Sequence, residues 1–274
     1  MTVDDLIRRP GAWLLTEAGV DSDIAVSARI RLARNLKEAA FPGWAGEEVC
    51  ARILARLRPA VESLPGLEGA WSWEMSDLDP VDREILCERH LISAELAARN
   101  RGSALVLRPD ESLSVMINEE DHLRLQVMRP GADLAALWRE IDALDSALGE
   151  KIPYAFSAAL GYLTACPSNV GTGLRASVMV HLPALRLMNE VEPVVKGLNK
   201  IGLAVRGIGG EGTEAMGNMY QVSNQMTLGE SELDLIRRLS AVVEELADHE
   251  RNARARLREK FPARSERVWS SQVG

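Results

Sequence analysis

The sequence predicts a fold of mixed helices and strands, with strands of alternating polarity and amphipathic helices sharing one chain. Two observations carry this. Several short runs alternate apolar and polar side chains with a period of two, as strands with one buried face do. Longer stretches repeat apolar residues at three- and four-residue spacing, as helices lying on a core do. With 274 residues and 46% hydrophobic composition, the chain can bury a full core.

Taken in order, the first twenty residues hold a short helix candidate capped by Thr2 and broken at Pro10-Gly11. In residues 23–34, Ile24, Val26, Ala28, Ile30 and Leu32 alternate with Ser27, Arg29 and Arg31. The two arginines therefore share one strand face, roughly 6.5 to 7 Å apart; a solvated face is the alternative. Residues 46–63 form a core-facing helix through Val49, Ile53, Leu54, Leu57 and Val61, with Cys50 beside the stripe as a packed thiol. A second helix starts at Asp79-Pro80 and delivers His90 at its end, where a histidine can serve simply as a dipole-stabilising cap.

Strands resume at 103–107 and 113–117. The second runs into Asn118-Glu-Glu-Asp-His122, whose three consecutive acids are costly for a core and natural for a site. Beyond them Leu123, Leu125 and Val127 face one way, while His122, Arg124 and Gln126 face the other, close to Glu120. An exposed hairpin tip with a weak ion pair is the alternative. A helix follows over 132–149.

The stretch Cys166-Pro-Ser-Asn-Val-Gly-Thr-Gly-Leu-Arg175 puts a thiol, two glycines and an arginine within ten residues. Pro167 keeps Cys166 extended, and Gly171 and Gly173 permit a tight bend or close approach to a ligand. The strand that follows places Arg175, Ser177, Met179 and His181 on its polar face. A surface hairpin with a chance arginine is the competing reading. A helix over 183–200 comes next. A short strand then bears Arg206, and a glycine-dense loop bears Glu211. The last helix opens near Ser231 in a capping box with Asp234, and from His249 to Lys260 its charges read as a solvated end.

A net charge of −8 argues against a broad nucleic-acid or anionic-membrane surface. There is no apolar run of about 18 residues and no signal-peptide pattern, so a cytoplasmic protein is expected. Cys50, Cys87 and Cys166 lack C-x-x-C spacing, which disfavours a disulfide framework or a zinc site, and no metal-ligating set stands out.

Arg29, Arg31, Arg124, Arg175 and Arg206 thus recur on polar strand faces of an acidic protein. Their planar forks match phosphate oxygens, and a ring of them can hold a triphosphate. Neither a P-loop nor the His-Arg-Asp and Asp-Phe-Gly signatures of protein kinases are present. Gly207-Ile-Gly-Gly-Glu-Gly212 matches a dinucleotide fingerprint, but it comes after some 200 residues, and Gly217 interrupts any following helix. A nucleotide-dependent oxidoreductase stays in view on that match alone.

Four motifs in register, Val26–Asn35, Asn118–Arg124, Cys166–Ser177 and Val205–Gly212, together with Glu88–Ser93 and Gln221–Gly229, resemble the ATP:guanido phosphotransferases in their bacterial, protein-arginine kinase branch. The similarity runs from about residue 12 to residue 260. It implies an α+β fold, a curved antiparallel sheet flanked by helices, like the catalytic domain of phosphagen kinases, over residues 1–262, with a tail at 263–274. It also implies ATP and Mg²⁺ as cofactors. Ser27, Arg29, Arg31, His90, Arg124, Arg175, Met179 and Arg206 would then be the ATP-binding set. Glu120 and Glu211 would grip the guanidinium, and Cys166 would be the active-site thiol. Met179 stands where many phosphagen kinases carry a histidine beside the adenine. The helical N-terminal domain of metabolite kinases and the C-terminal dimerisation domain of the bacterial kinases are expected to be absent. The site is therefore expected to be open, accepting arginines of unstructured basic proteins. An activator protein, a Clp-type protease system and roles in protein quality control and stress response come with the resemblance. A kinase of a small guanidino metabolite and a catalytically silent adaptor of the same fold are the alternatives.

Overall fold

A computed structural model describes residues 3–14, 21–209 and 215–260. Thr2, Glu211 and the tail at 263–274, each singled out above, lie outside them. Helix α1 (Asp4–Ile7) follows Val3, which makes no side-chain cap, and a 3-10 turn (Ala12–Leu14) leads to β1 (Ala25–Arg34). Next come α2 (Glu47–Glu62), β2 (Trp71–Glu74), α3 (Pro80–Glu88) and α4 (Ala94–Ala97). Strands β3 (Ala104–Leu107), β4 (Leu113–Ile117) and β5 (Leu123–Pro130) precede α5 (Leu134–Gly149), a small hairpin of β6 (Phe156–Ser157) and β7 (Gly161–Tyr162), and β8 (Leu174–His181). The chain continues through α6 (Pro183–Leu187), α7 (Val191–Lys200), β9 (Leu203–Gly209), β10 (Ala215–Asn224) and α8 (Glu232–Lys260).

The expected α+β architecture is present. Eight strands form one sheet in the order β2-β3-β4-β5-β1-β8-β10-β9, and each pairing between described residues is antiparallel. The apolar alternation of β1, β5 and β8 buries Ile30, Leu32, Leu125, Val127, Ala176 and Val178 against α5 and α8 in the main core, to which α2 adds its stripe over β3 and β4. Among the described residues a smaller core covers the other face over β2, β3 and β4, where Leu105, Leu107 and Met116 meet Leu86, Leu91 and Leu96, with Trp71 and Trp73 packed against them. That half-covering decides where a site can form, because the same face of β5, β1, β8, β10 and β9 carries polar side chains.

Three expectations are corrected. The helix over 183–200 is two helices, separated at Asn189, whose left-handed backbone (φ 58°) no helix can continue through. The charged end of the last helix is solvated only in part: Arg256, Arg258, Glu259 and Lys260 are exposed, but its first turn is tied down. Glu250 is fully buried and accepts from the amides of Ala184 and Leu185, both at 3.0 Å, while Arg251 pairs with Asp21 and Asp23. His122 does not share the polar strand face. It lies buried before β5, its Nδ1 accepting from the Leu36 amide and its Nε2 3.1 Å from the Ala40 carbonyl. Among the described residues, no helix is long and apolar enough to cross a membrane.

Candidate active site

Strand β1 lies at the middle of the site, and register assembles the rest around it. Arg31 is opposite Arg175 on one side and Gln126 on the other, Arg29 opposite Ser177, Ser27 opposite Met179, and Ala33 opposite Arg124. Gln221 of β10 pairs with both Met179 and Arg206, which brings the edge strand onto the same face. Cross-strand partners point to the same side. The five arginines of four different strands therefore share one surface.

The solvated-face alternative for β1 fails. Arg29 and Arg31 are part-buried and take no hydrogen-bond or ion-pair partner among the described residues. Burial and the like charges of Arg29, Arg124 and Arg175 hold the Arg31 guanidinium down to about 9. Burial and Arg124 also lower Arg29, and burial together with Arg206 lowers Arg175. Unpaired buried cations of this kind are costly unless an anion joins them. Arg175 donates to the Asn224 carbonyl at 2.8 Å, which aims it along the face.

Two hollows lie on this surface. One, of about 80 Å³, is lined by Ser27, Arg29, His90, Ser177, Met179 and Gln221. The other is a cleft of about 270 Å³ that collects Arg31, Arg124, Arg175, Glu120, Ser93 and Cys166. His90 is not the cap of α3; Arg89 occupies that place. His90 follows with a left-handed backbone (φ 59°), its carbonyl accepting from Gln126 Nε2 at 2.7 Å and its ring 5.2 Å from that of Trp13. Burial and Arg29 lower its pKa, so it is neutral at physiological pH.

The exposed-hairpin reading of the acids fails as well. Asn118, Glu119, Asp121 and His122 are fully buried, and only Glu120 reaches the cleft, with its side chain 39% exposed. Glu119 accepts from Arg124 Nη1 at 2.5 Å, from the Ser93 hydroxyl, and from the Glu120 amide at 2.9 Å. Glu120 Oε2 lies 3.2 Å from Arg124 Nη2. Burial, then the neighbouring Asp121, raises the Glu120 carboxyl above the ordinary range, against the opposing pull of Arg124.

Cys166 is extended as expected (φ −91°, ψ 122°), and its Sγ lies 3.0 Å from Ser168 Oγ. The glycines of its loop let neighbouring backbone pack closely, and Gly173 also lines the cleft. A Cβ on Gly173, whose φ is 66°, would lie 2.6 Å from the Ala33 carbonyl, and one on Gly171 would strike the Thr227 carbonyl. Asp121 joins the acid turn to this loop. Its Oδ1 accepts from Asn35 Nδ2 at 2.6 Å and from the Ala165 amide at 2.7 Å.

Sequence reasoning missed Glu119, Asp121, Gln126 and Gln221 as parts of the site. Their signal was present in the unbroken acid triplet and in the polar face of β5. Strand β10 was missed because Gly217 and Asn218, both with positive φ, mask its alternation. Among the described residues no three His, Cys, Asp or Glu side chains converge as a metal site.

A model of the ATP:guanido phosphotransferase C-terminal catalytic domain matches residues 53–253. The chain belongs to this family. It is 49% identical to the protein-arginine kinase of Moorella thermoacetica, over 92% of this chain and 73% of that protein. It is 46% identical to the protein-arginine kinase of Halothermothrix orenii, over 93% and 72%. Among solved structures it superposes on lombricine kinase with a TM-score of 0.75 and 28% identity, covering 89% of this chain and 71% of that one. As an ATP:guanido phosphotransferase the chain uses ATP.

Proposed function

We propose that this chain is a protein-arginine kinase that moves the γ-phosphoryl group of ATP to a terminal guanidinium nitrogen of arginine residues in proteins. One observation carries the reading. Two unpaired, part-buried arginines of β1 share a sheet face with Arg124, Arg175 and Arg206, and the Glu120 carboxylate and Cys166 thiol open into the same cleft as Arg31.

A guanidinium is fully protonated below about pH 12 and is a poor nucleophile. As its nitrogen bonds to the γ-phosphorus, the bond from that phosphorus to the bridging oxygen breaks and ADP leaves with the electron pair. The proton lost by the nitrogen passes to a carboxylate. Glu120, whose carboxyl burial holds above the ordinary range, would take it. Glu211, outside the described residues, would complete the grip on the planar group, and the Cys166 sulfur would bias its charge. Phosphoryl transfer is mostly positioning and electrostatics, and the five arginines supply both. Ser27, His90 and Met179 line the smaller hollow, where the base of the nucleotide would lie. Magnesium, when bound, neutralises part of the polyphosphate charge. The described residues offer it no carboxylate cage, so the phosphates would be its ligands.

The deciding assay offers labelled ATP to free arginine and to an unfolded basic protein in parallel. Acid-labile phosphoarginine on the protein, read by mass spectrometry at neutral pH, is expected. Turnover of free arginine without labelled protein would overturn the reading in favour of a small-guanidine kinase.

A further inference from the structure

Behind the catalytic face, where β1 ends, a third cavity, of about 510 Å³, opens between α5, the β6–β7 hairpin and the first turn of α8. Trp138, Tyr154, Phe156 and Tyr162 supply its aromatic walls, and Asp142 and Glu232 bring carboxylates to it. Tyr162 packs edge-on against Phe156 at 5.2 Å and against Tyr154 at 5.9 Å. Phe156 is 60% exposed, an aromatic ring left in water at the rim.

The floor shows what chemistry the cavity accepts. Arg34 is buried there with its guanidinium 3.5 Å over the Tyr162 ring, and its Nε and Nη2 hold both oxygens of Asp145. That ion pair is closed and neutral. Asp142 and Glu232 have no ion pair or hydrogen bond among the described residues, so the cavity has a net negative charge beside exposed π-faces. Planar, weakly hydrated guanidinium is the cation that gains most from such a combination, because it stacks on aromatic faces while donating to carboxylates in its plane.

The cavity also lies close to the catalytic cleft along the chain. Tyr162 precedes Cys166 by four residues, a reach of at most about 14 Å. Arg34 follows Arg31 by three positions on one strand, about 10 Å. Arg34 Nη1 further donates to the Thr172 carbonyl, at 2.9 Å, within the thiol loop itself.

We propose that this cavity docks an unmodified arginine side chain of the protein substrate, distinct from the arginine that is phosphorylated. The inference rests on the protein-arginine kinase reading and deepens it. A client with a second arginine is held while its first one reacts, which raises the effective concentration of the target without a new contact at the catalytic cleft.

The test uses the full chain labelled with fluorotryptophan, with the Trp138 resonance assigned through Trp138→Phe. N-acetyl-arginine amide, titrated in the presence of ADP, is expected to give a saturable shift of that line. The double substitution Asp142→Asn with Glu232→Gln should weaken the titration at least about 10-fold, as loss of two charge-assisted partners would. N-acetyl-citrulline amide and N-acetyl-lysine amide should bind far more weakly. In kinase assays the same double variant should raise KM for an unstructured peptide with two arginines and leave kcat, and the one-arginine peptide, unchanged. No saturable shift at Trp138, an equal shift with citrulline or lysine amide, or an equal KM effect on both peptides would overturn the proposal. Failure of the wild-type chain to label any protein would instead sink the functional reading, and the Trp138 titration would remain interpretable.

Discussion

Arg31 and Arg175 are direct cross-strand partners on the open face of the sheet, two guanidinium groups side by side where a stable sheet would place opposite charges. The fold tolerates this because its stability comes from the apolar faces of the same strands. Replacing Arg31 with Gln should therefore stabilise the ligand-free chain by about 1 kcal/mol, raising Tm by about 2–4 °C, while nucleotide binding is lost. The pH dependence has a definite sign. Burial and the neighbouring arginines hold the Arg31 pKa down to about 9 in the folded chain, well below its value in the unfolded chain, so the charge repulsion is fully present below pH 9. Between these values the unfolded chain binds more protons, and the Arg31 contribution to stability rises with pH. Thermal melts of both proteins across pH 7 to about 10 check this, and a variant less stable than wild type throughout would refute it.

Glu120→Gln should lower kcat at least about 100-fold, the usual scale for a general base, and leave ADP affinity almost unchanged. Because burial raises this carboxyl, activity of the wild type should fall on acidification at a pH above that of an ordinary glutamate, where the base takes up its proton. Glu211→Gln should have a comparable effect on kcat. Near wild-type turnover in the Glu120 variant would remove the assigned role.

Arg206 is exposed on β9 and contributes nothing to either core, so Arg206→Ala should fold normally. Phosphoryl transfer should vanish, and ADP affinity should drop by at least about 10-fold, the worth of one charge-assisted contact. Arg124→Ala should do the same to ADP binding. Calorimetric titration with ADP and magnesium reads both, and unchanged affinity in the pair would mean the phosphate face has been misassigned.

Burial pushes the Cys50 and Cys87 thiols up, and both should react slowly with iodoacetamide. Cys166, in the cleft with Arg175 nearby and its sulfur beside the Ser168 hydroxyl, should be alkylated faster than either. Magnesium-ADP with an arginine peptide should protect it, and Cys166→Ser should keep part of the activity. Peptide mapping after brief labelling separates this from uniform modification of all three cysteines, which would reduce Cys166 to a loop residue.

The sequence alone determined the strands whose two faces differ in kind. Period two in β1 and β8 put Arg29, Arg31 and Arg175 opposite Ile30, Leu32, Ala176 and Val178, and burial of the apolar set left the arginines no other direction. Helical spacing likewise placed α2 and α5 to within about two residues, since one apolar stripe per helix leaves a single way to lie on a core. Only the tertiary structure decided which faces meet. Periodicity carries no register, and it is register that sets Arg31 beside Arg175, Ala33 beside Arg124, and Gln221 between Met179 and Arg206. Nor could local pattern show that Asp121 and Glu119 are buried rather than solvated. Their partners Asn35, Ala165, Ser93 and Arg124 come from four separate segments, and a buried carboxylate is affordable only once those donors have been brought to it. The aromatic cavity around Tyr162 is of the same kind, assembled from α5, a two-residue strand and the start of α8, none of which announces the others along the chain.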